Sequence, residues 1–139
     1  MVHSELKYLV PLYTAWEVED AIRLEAVADM DPDSTIDSIL SELSSGSLEA
    51  WKVVGTTVIV MTRTVLSSKR PFLHIEAVIG VGLKNVIGVV VEDLKKLAES
   101  RGCGRLTAMT SRKGWARATE RLGFIPVSIN YEMELSDER

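Results

Sequence analysis

Two spacings of apolar residues alternate along the chain, and each predicts a different kind of element. Apolar residues that return every three or four positions predict four helices, over residues 14–28, 34–46, 86–101 and 113–122. Short alternating or continuous apolar runs predict six strands, over residues 4–10, 48–54, 57–66, 71–79, 105–109 and 127–135. The resulting order, β-α-α-β-β-β-α-β-α-β, predicts an α/β (α+β) fold with a mixed, mostly antiparallel sheet and helices on both faces.

Capping residues and apolar stripes define the ends and inner faces of the first two helices. The second helix begins at Ser34, with Asp37 three residues later in a position like that of a capping box, and Gly46 ends it. The inner face expected for the first helix consists of Ala15, Val18, Ile22 and Ala26. The inner face expected for the second consists of Ile36, Ile39, Leu40 and Leu43.

Similar signals bound the longest helix and the elements that follow it. Asn85 is the expected N-cap of the helix over residues 86–101, and Gly102 falls where a left-handed C-terminal glycine belongs. Ser111 caps the next helix and Gly123 closes it. The residues expected to face inward are Ile87, Val90, Val91, Leu94 and Leu97 on the long helix, and Val127, Ile129, Tyr131, Met133 and Leu135 on the final strand.

Composition narrows the class of protein. A chain of 139 residues with 46% hydrophobic content fits one domain over residues 1–139. Its net charge of −4 argues against nucleic acid as a partner, because that affinity rests on basic residues. No apolar run approaches the roughly 20 residues of a membrane span. With two histidines and one cysteine, no familiar metal site can be written, and Cys103 reads as a buried thiol in a reducing compartment.

The second half of the chain carries local matches to a known family. Ala98 and Gly102 occupy the places of an Ala-x-x-x-Gly sequence that leads from a helix into the next strand. The later helix ends in Arg121, Leu122, Gly123 and Phe124, similar to a Lys-x-Gly-Phe ending. With the element order, these sequences resemble the GNAT family of N-acetyltransferases over residues 72–135. The resemblance implies a GNAT-like fold whose strands separate beside an acyl-CoA cofactor.

The same resemblance places a cofactor loop at the start of the long helix. In the family, backbone N–H groups of Gln/Arg-x-x-Gly-x-Gly/Ala bind the CoA pyrophosphate there. Registered on Ala98 and Gly102, the three defining places fall on Gly82, Asn85 and Ile87, and all three depart from the pattern. A shift of register instead makes Gly88 the final glycine. The degenerate loop consists of Leu83, Lys84, Asn85, Val86, Ile87 and Gly88. We therefore expect no cofactor, or acetyl-CoA if the protein is active.

Two residues on the strand before this loop are candidates for catalysis. GNAT enzymes often use a carboxylate at the place of Glu76, acting through water to deprotonate the attacking amine. Alternation places His74 about 7 Å from Glu76 on the same face. That face is expected to hold Phe72, His74, Glu76 and Val78, and the opposite face Leu73, Ile75, Ala77 and Ile79. The alternative is that this sheet face is half-exposed and has no catalytic function. In addition, Thr119 stands where the family often has a tyrosine that acts as general acid, which argues against catalysis.

A basic helix with a tryptophan provides a candidate interaction surface. Its residues are Arg112, Lys113, Trp115, Arg117 and Arg121. The sequence over residues 114–117 resembles small GNAT-like proteins of tailed bacteriophages, some of them internal virion proteins. That resemblance implies a non-catalytic, virion-associated or protein-binding module, found in the virion or host cytoplasm with protein partners. The alternatives are an acetyl-CoA-dependent N-acetyltransferase with a divergent loop, and a regulator that binds a small ligand or a host protein in the cleft.

Overall fold

A five-stranded mixed sheet organises the first 109 residues. The computed structural model describes residues 5–31, 33–109, 121–125, 133 and 135. Its elements in chain order are β1 (Leu9–Pro11), a 3₁₀ turn (Leu12–Thr14), α1 (Asp20–Asp29), α2 (Ile36–Ser45), β2 (Glu49–Val53), β3 (Ile59–Val65), β4 (Phe72–Ile79), α3 (Leu83–Ser100) and β5 (Leu106–Ala108). The strands lie in the order β1-β2-β3-β4-β5. β5 is parallel to β4, and the other neighbouring strands are antiparallel. The predicted fold class is confirmed.

Helix α3 covers one face of the sheet. Val90, Leu94 and Leu97 are buried against a core that includes Trp51 of β2 and Leu73 of β4. Three backbone N–H groups of residues 7–9 also donate to the buried carboxylate of Asp93, at 2.7 to 3.2 Å. One carboxylate on α3 therefore ties the start of β1 to the helix.

Helices α1 and α2 cover the other face. Leu24 and Val27 of α1 pack with Ile39 of α2 onto Ile59 and Met61 of β3. This second cluster is separate from the core beneath α3. The prediction of helices on both faces is therefore confirmed.

The expected inner face of the first helix is wrong. Val18 and Ile22 are 83% and 69% exposed, whereas Asp20 and Leu24 are buried. Asp20 turns inward because Lys52 of β2 lies beneath it, with Lys52 Nζ 2.9 Å from Asp20 Oδ2. The helix also begins at Asp20 rather than near residue 14, after the separate 3₁₀ turn.

Both helix caps were predicted a few residues away from their observed places. In α2 the cap is Thr35 with Ser38, one residue later than expected; each side chain accepts from the backbone N–H of the other. In α3 the N-cap is Gly82 (φ 83°) rather than Asn85, whose N–H donates to the Gly82 carbonyl at 3.0 Å. The helix therefore starts three residues earlier, and the expected loop residues form its first turns. Leu40, expected to face inward on α2, is exposed.

The described residues after residue 109 belong to a second unit, residues 110–139. Arg121 is helical, and Gly123 has a positive φ of 96°, as expected for a glycine that closes a helix. Met133 and Leu135 are exposed and lie outside any strand, so the inward alternation predicted for them is wrong. The rest of the last helix and strand lies outside the described residues. A single domain over residues 1–139 stays a prediction.

Candidate functional site

The ladder between β4 and β5 ends early. Their parallel pairing runs from Leu73↔Leu106 to Ile75↔Ala108, but β4 continues to Ile79. Beyond Ile75, the edge of β4 that faces β5 has no strand partner within the described part of the chain. We call this unpaired edge of β4, from Glu76 to Ile79, together with the end of the strand, the slot.

A three-residue loop carries the chain from this slot into α3. Gly80 has a φ of 138°, and a Cβ at this position would lie 2.7 Å from the Val58 Cα. Only glycine fits this conformation and this close approach to β3. Because the loop is so short, the N-terminus of α3 lies at the end of β4. The N–H groups of a first helical turn have no partner within the helix, and they favour an anion there.

The loop residues predicted from sequence are placed unevenly around this helix end. Lys84 and Asn85 are exposed, and Lys84 places a cation at this helix end. Val86 and Ile87 are half-buried, and Val86 packs against the core beneath α3. A Cβ added to Gly82 or to Gly88 would meet nothing within 4 Å, so both glycines border open space. The described side chains thus leave room at the helix end.

A β-bulge sets the direction of Glu76. β4 pairs Ala77 with Met61 but Ile75 with Thr62, so Glu76 is an extra residue in the ladder. Bulges of this kind change which face the following side chains occupy. Val78 joins Leu73 and Ile75 beneath α3, and Ala77 and Ile79 face α1 and α2. The regular alternation predicted for residues 72–79 is therefore wrong beyond Ile75.

Glu76 lies in a chain of polar contacts that crosses three strands. Arg63 Nη2 is 2.5 Å from Glu42 Oε2 of α2 and 3.5 Å from Glu76 Oε1. Burial lowers the pKa of Arg63, but its hydrogen bond to Glu42 and the charge of Glu76 outweigh burial and raise the pKa above its usual value. The Glu76 side chain is 38% exposed, so its carboxylate reaches solvent from a position fixed by Arg63.

His74 connects Glu76 to β5. Its Nδ1 is 2.8 Å from the Thr107 hydroxyl, and its Nε2 is 3.7 Å from Glu76 Oε2. A carboxylate on the Nε2 side favours the tautomer with its proton on Nε2, and Thr107 then donates to Nδ1. At 3.7 Å the histidine and the carboxylate interact electrostatically rather than by a direct hydrogen bond. The structure thus brings the two predicted catalytic residues together.

A second polar cluster lies beneath α1 and was missed by sequence reasoning. Lys52 Nζ is 2.8 Å from Glu17 Oε1, and Asp20 accepts further bonds from Arg23 and from the Glu17 N–H. Burial alone would raise the pKa of Asp20, but the hydrogen bonds from Lys52, the Glu17 backbone and Arg23 lower it below its usual value. Burial would lower the pKa of Lys52, but Glu17 and Asp20 raise it. An open groove of about 570 Å³ lies beside this cluster and contains no residue of β4 or α3.

The remaining sequence expectations concern interaction, metals and membranes. Arg121 is exposed, and Arg112, Lys113, Trp115 and Arg117 lie outside the described residues. In the described ranges, no group of histidine, cysteine and carboxylate side chains is arranged to hold a metal ion. No described helix has both the length and the apolar character needed to cross a membrane. Cys103 is buried, as expected.

Comparisons with known proteins identify the fold. No protein-family model and no curated protein matches the sequence. A solved "probable acetyltransferase" matches with a TM-score of 0.68 and 13% identity, over 94% of this chain and 97% of its own. A ribosomal-protein-alanine N-acetyltransferase from Brucella melitensis biovar Abortus 2308 matches with a TM-score of 0.64 and 17% identity, over 92% and 96%. A transcriptional regulator from Bacillus halodurans C-125 matches with a TM-score of 0.67 and 14% identity, over 91% and 98%. The chain has the fold of acetyltransferases, the GNAT-like fold predicted from its sequence.

Proposed function

We propose that the protein is an acyl-CoA-dependent N-acyltransferase. The observation that carries the proposal is the slot at the end of β4. There, a strand edge released by β5, an anion-binding helix end and a carboxylate on a β-bulge come together. An acyl-CoA presents amides that fit the strand edge and a pyrophosphate that fits the helix end, and the carboxylate can act on the amine that attacks the thioester. The acetyltransferase fold supports this reading over the non-catalytic one expected from the sequence.

Each group of the slot has a separate task in this proposal. The backbone N–H groups of Leu83 and Lys84, together with the Lys84 ammonium, bind the pyrophosphate. The unpaired edge of β4 hydrogen-bonds the amides of the pantetheine chain, as a further strand would. Acetyl-CoA, when bound, supplies an acyl group activated as a thioester. Glu76 would accept a proton, through water, from the acceptor amine as that amine bonds to the acyl carbon. The C–S bond of the thioester would then break, and CoA would leave as a thiol after its sulfur takes a proton from solvent.

His74 and Arg63 are positioning residues in this scheme. The Arg63 guanidinium lies between Glu42 and Glu76 and holds the Glu76 carboxylate on the face of α2. The His74 ring, fixed by Thr107, presents its Nε2 proton to the same carboxylate. Both contacts hold the Glu76 carboxylate in the place where it accepts the proton.

The test is the rate of acetyl transfer from acetyl-CoA to a panel of primary amines, measured by release of free thiol. We expect Glu76→Gln to reduce kcat by roughly 10²- to 10⁴-fold, because it removes the general base. Glu92→Gln on α3, whose side chain is 64% exposed, is the matched control and should retain the wild-type rate. Equal rates for Glu76→Gln and the wild type, with both proteins folded by circular dichroism, would reject the role of Glu76.

A second candidate function is a non-catalytic phage protein, bound to other proteins of the virion. It is favoured by the residues of the first turns of α3, where Asn85 and Ile87 stand at places the family reserves for small residues. If this is the function, mass spectrometry of purified particles from the source should detect the protein, and acetyl-CoA should not bind. Absence of the protein from those particles would reject the virion role.

A further inference from the structure

Exposed apolar side chains cluster in the turn before α1 and in its first turn. Val18, which precedes the helix, and Ile22, which lies within it, are 83% and 69% exposed. Trp16, two residues before Val18, is also exposed. The inner side of α1 carries Asp20 and Leu24, so the helix cannot bury Ile22 against the sheet as well. Apolar side chains that are exposed together in one short segment mark an interaction site more often than scattered exposed residues do.

Carboxylates border these apolar side chains. Glu19 and Glu25 lie three residues before and after Ile22, and Asp29 lies one turn beyond Glu25. All three are exposed, and none of them forms an ion pair within the described part of the chain. The longer segment that contains these residues is strongly acidic. Residues 17–42 hold nine of the 20 acidic residues and one of the 16 basic residues, so their formal charge is −8 and that of the remaining chain is +4.

The open groove beside the Lys52 cluster continues this surface. Its lining includes Val10, Ala15 and Val54, which are apolar, and Glu17 at its margin. The volume of about 570 Å³ can receive a large apolar side chain. Large side chains that anchor a protein interface commonly fill recesses on the surface of the partner.

We propose that the outward face of α1 and the adjoining groove dock a basic amphipathic helix of another protein. The apolar side of such a helix would cover Val18 and Ile22, and its lysine or arginine residues would pair with Glu19, Glu25 and Asp29. The negative charge of this face favours a basic helix over the other possible occupants, which are a second copy of the chain, a lipid surface and nucleic acid. Two copies of this chain that presented the same face would bring Glu19, Glu25 and Asp29 of both copies together, and these carboxylates also repel anionic lipid or nucleic acid. The inference is independent of acyl transfer, because no residue of the candidate slot takes part.

The experiment uses the full chain and a fluorescein-labelled lysine–leucine peptide that forms an amphipathic helix. Fluorescence anisotropy gives its dissociation constant, and a peptide of the same composition with scrambled order is the control probe. We expect saturable one-to-one binding of the amphipathic peptide, weakened by salt, and at least tenfold weaker binding of the scrambled peptide. Equal affinity for both peptides, or no binding of either, would overturn the proposal.

Variants locate the binding site. Ile22→Ser should weaken the amphipathic peptide about tenfold, because one buried aliphatic side chain is lost. The double variant Glu25→Gln, Asp29→Asn should weaken it by roughly 2- to 30-fold through two lost ion pairs. The matched controls are Leu66→Ser, at an 85% exposed residue of the β3–β4 loop, and Glu99→Gln at the end of α3. Equal losses in the controls would show non-specific attraction. Dimerisation in ultracentrifugation that Ile22→Ser abolishes would identify a second copy as the occupant and would also overturn the proposal.

Discussion

The buried ion pair beneath α1 provides the sharpest test of how this fold is stabilised. Asp20 has no exposed surface, and the Lys52 side chain is 3% exposed. Lys52→Met keeps the length of the side chain but removes the ammonium that contacts both oxygens of Asp20. A carboxylate left without its buried partner is costly, because neither solvent nor an opposite charge compensates it.

The expected loss of stability in Lys52→Met depends on the groups that still bond to Asp20. Removal of one partner of a buried pair typically destabilises a protein by about 3–5 kcal/mol. Here Arg23 and the Glu17 N–H still bond to Asp20, so we expect a value near the lower end, about 3 kcal/mol. With a urea m-value of about 1.5 kcal/mol/M, the unfolding midpoint should fall by about 2 M.

Equilibrium urea unfolding, followed by circular dichroism, measures this cost. The double variant Asp20→Asn, Lys52→Met should recover most of the loss, because neither Asp20 nor Lys52 then leaves a fully buried charge, and the side chains of Arg23 and Glu17, which lose these partners, reach solvent. A loss below about 1 kcal/mol in Lys52→Met would refute the reasoning. A double variant no more stable than Lys52→Met would refute it equally.

The pH dependence of the same pair has a defined sign. The folded-state pKa of Asp20 is lowered, so its contribution is present above the unfolded value of about 3.9 and is lost as the pH falls through the folded value. The folded-state pKa of Lys52 is raised, so its contribution is present below about 10.4 and is lost as the pH rises through the folded value. The difference in unfolding free energy between the wild type and the double variant should therefore be constant between those limits and change outside them.

Two further predictions concern α3. Leu94→Ala should cost about 2–5 kcal/mol in urea unfolding, because Leu94 has no exposed surface and the change leaves a cavity; a loss below about 1 kcal/mol would mean that this helix face does not carry the core. Asp93→Asn should cost roughly 1–3 kcal/mol, because an amide N–H₂ would face backbone N–H groups of residues 7–9 that now donate to a carboxylate. Hydrogen exchange should then show faster opening of β1, and unchanged exchange there would contradict the assignment.

Exposed neighbours on the same helix are the matched controls for both changes. Lys95→Ala is the control for Leu94→Ala, and Glu92→Gln is the control for Asp93→Asn, since both control side chains are exposed to solvent. Each control should stay within about 0.5 kcal/mol of the wild type.

Sequence patterns predicted the sheet and α3 because local signals and tertiary packing agree there. The stripe that holds Leu94 and Leu97 is apolar, and the buried carboxylate of Asp93 beside it accepts bonds from the N–H groups of residues 7–9, so helix period and burial coincide. The same agreement fails in α1. There the pairing of Asp20 with Lys52, 32 positions later, outweighs the apolar residues Val18 and Ile22. A contact so distant in sequence leaves no local pattern, and periodicity alone therefore selected the wrong face.

The candidate site was predicted in part for the same reason. Glu76 was found because the GNAT resemblance places a carboxylate there, and His74 was found because strand alternation holds as far as Ile75. The bulge that follows depends on the register of β3 against β4, which no property of residues 72–79 alone specifies. Arg63 and Glu42 were missed as partners of Glu76 because they come from different elements and meet only in the folded chain. Gly82 was read as part of a loop, although a glycine with positive φ can begin a helix.

Calorimetric titration with acetyl-CoA tests the central claim most directly. The slot predicts micromolar binding, which free CoA should displace and which Lys84→Glu should weaken by placing a carboxylate beside the pyrophosphate. No heat and no competition by CoA, at protein concentrations able to detect a dissociation constant of about 1 mM, would contradict the claim. The protein would then have the acetyltransferase fold without its cofactor.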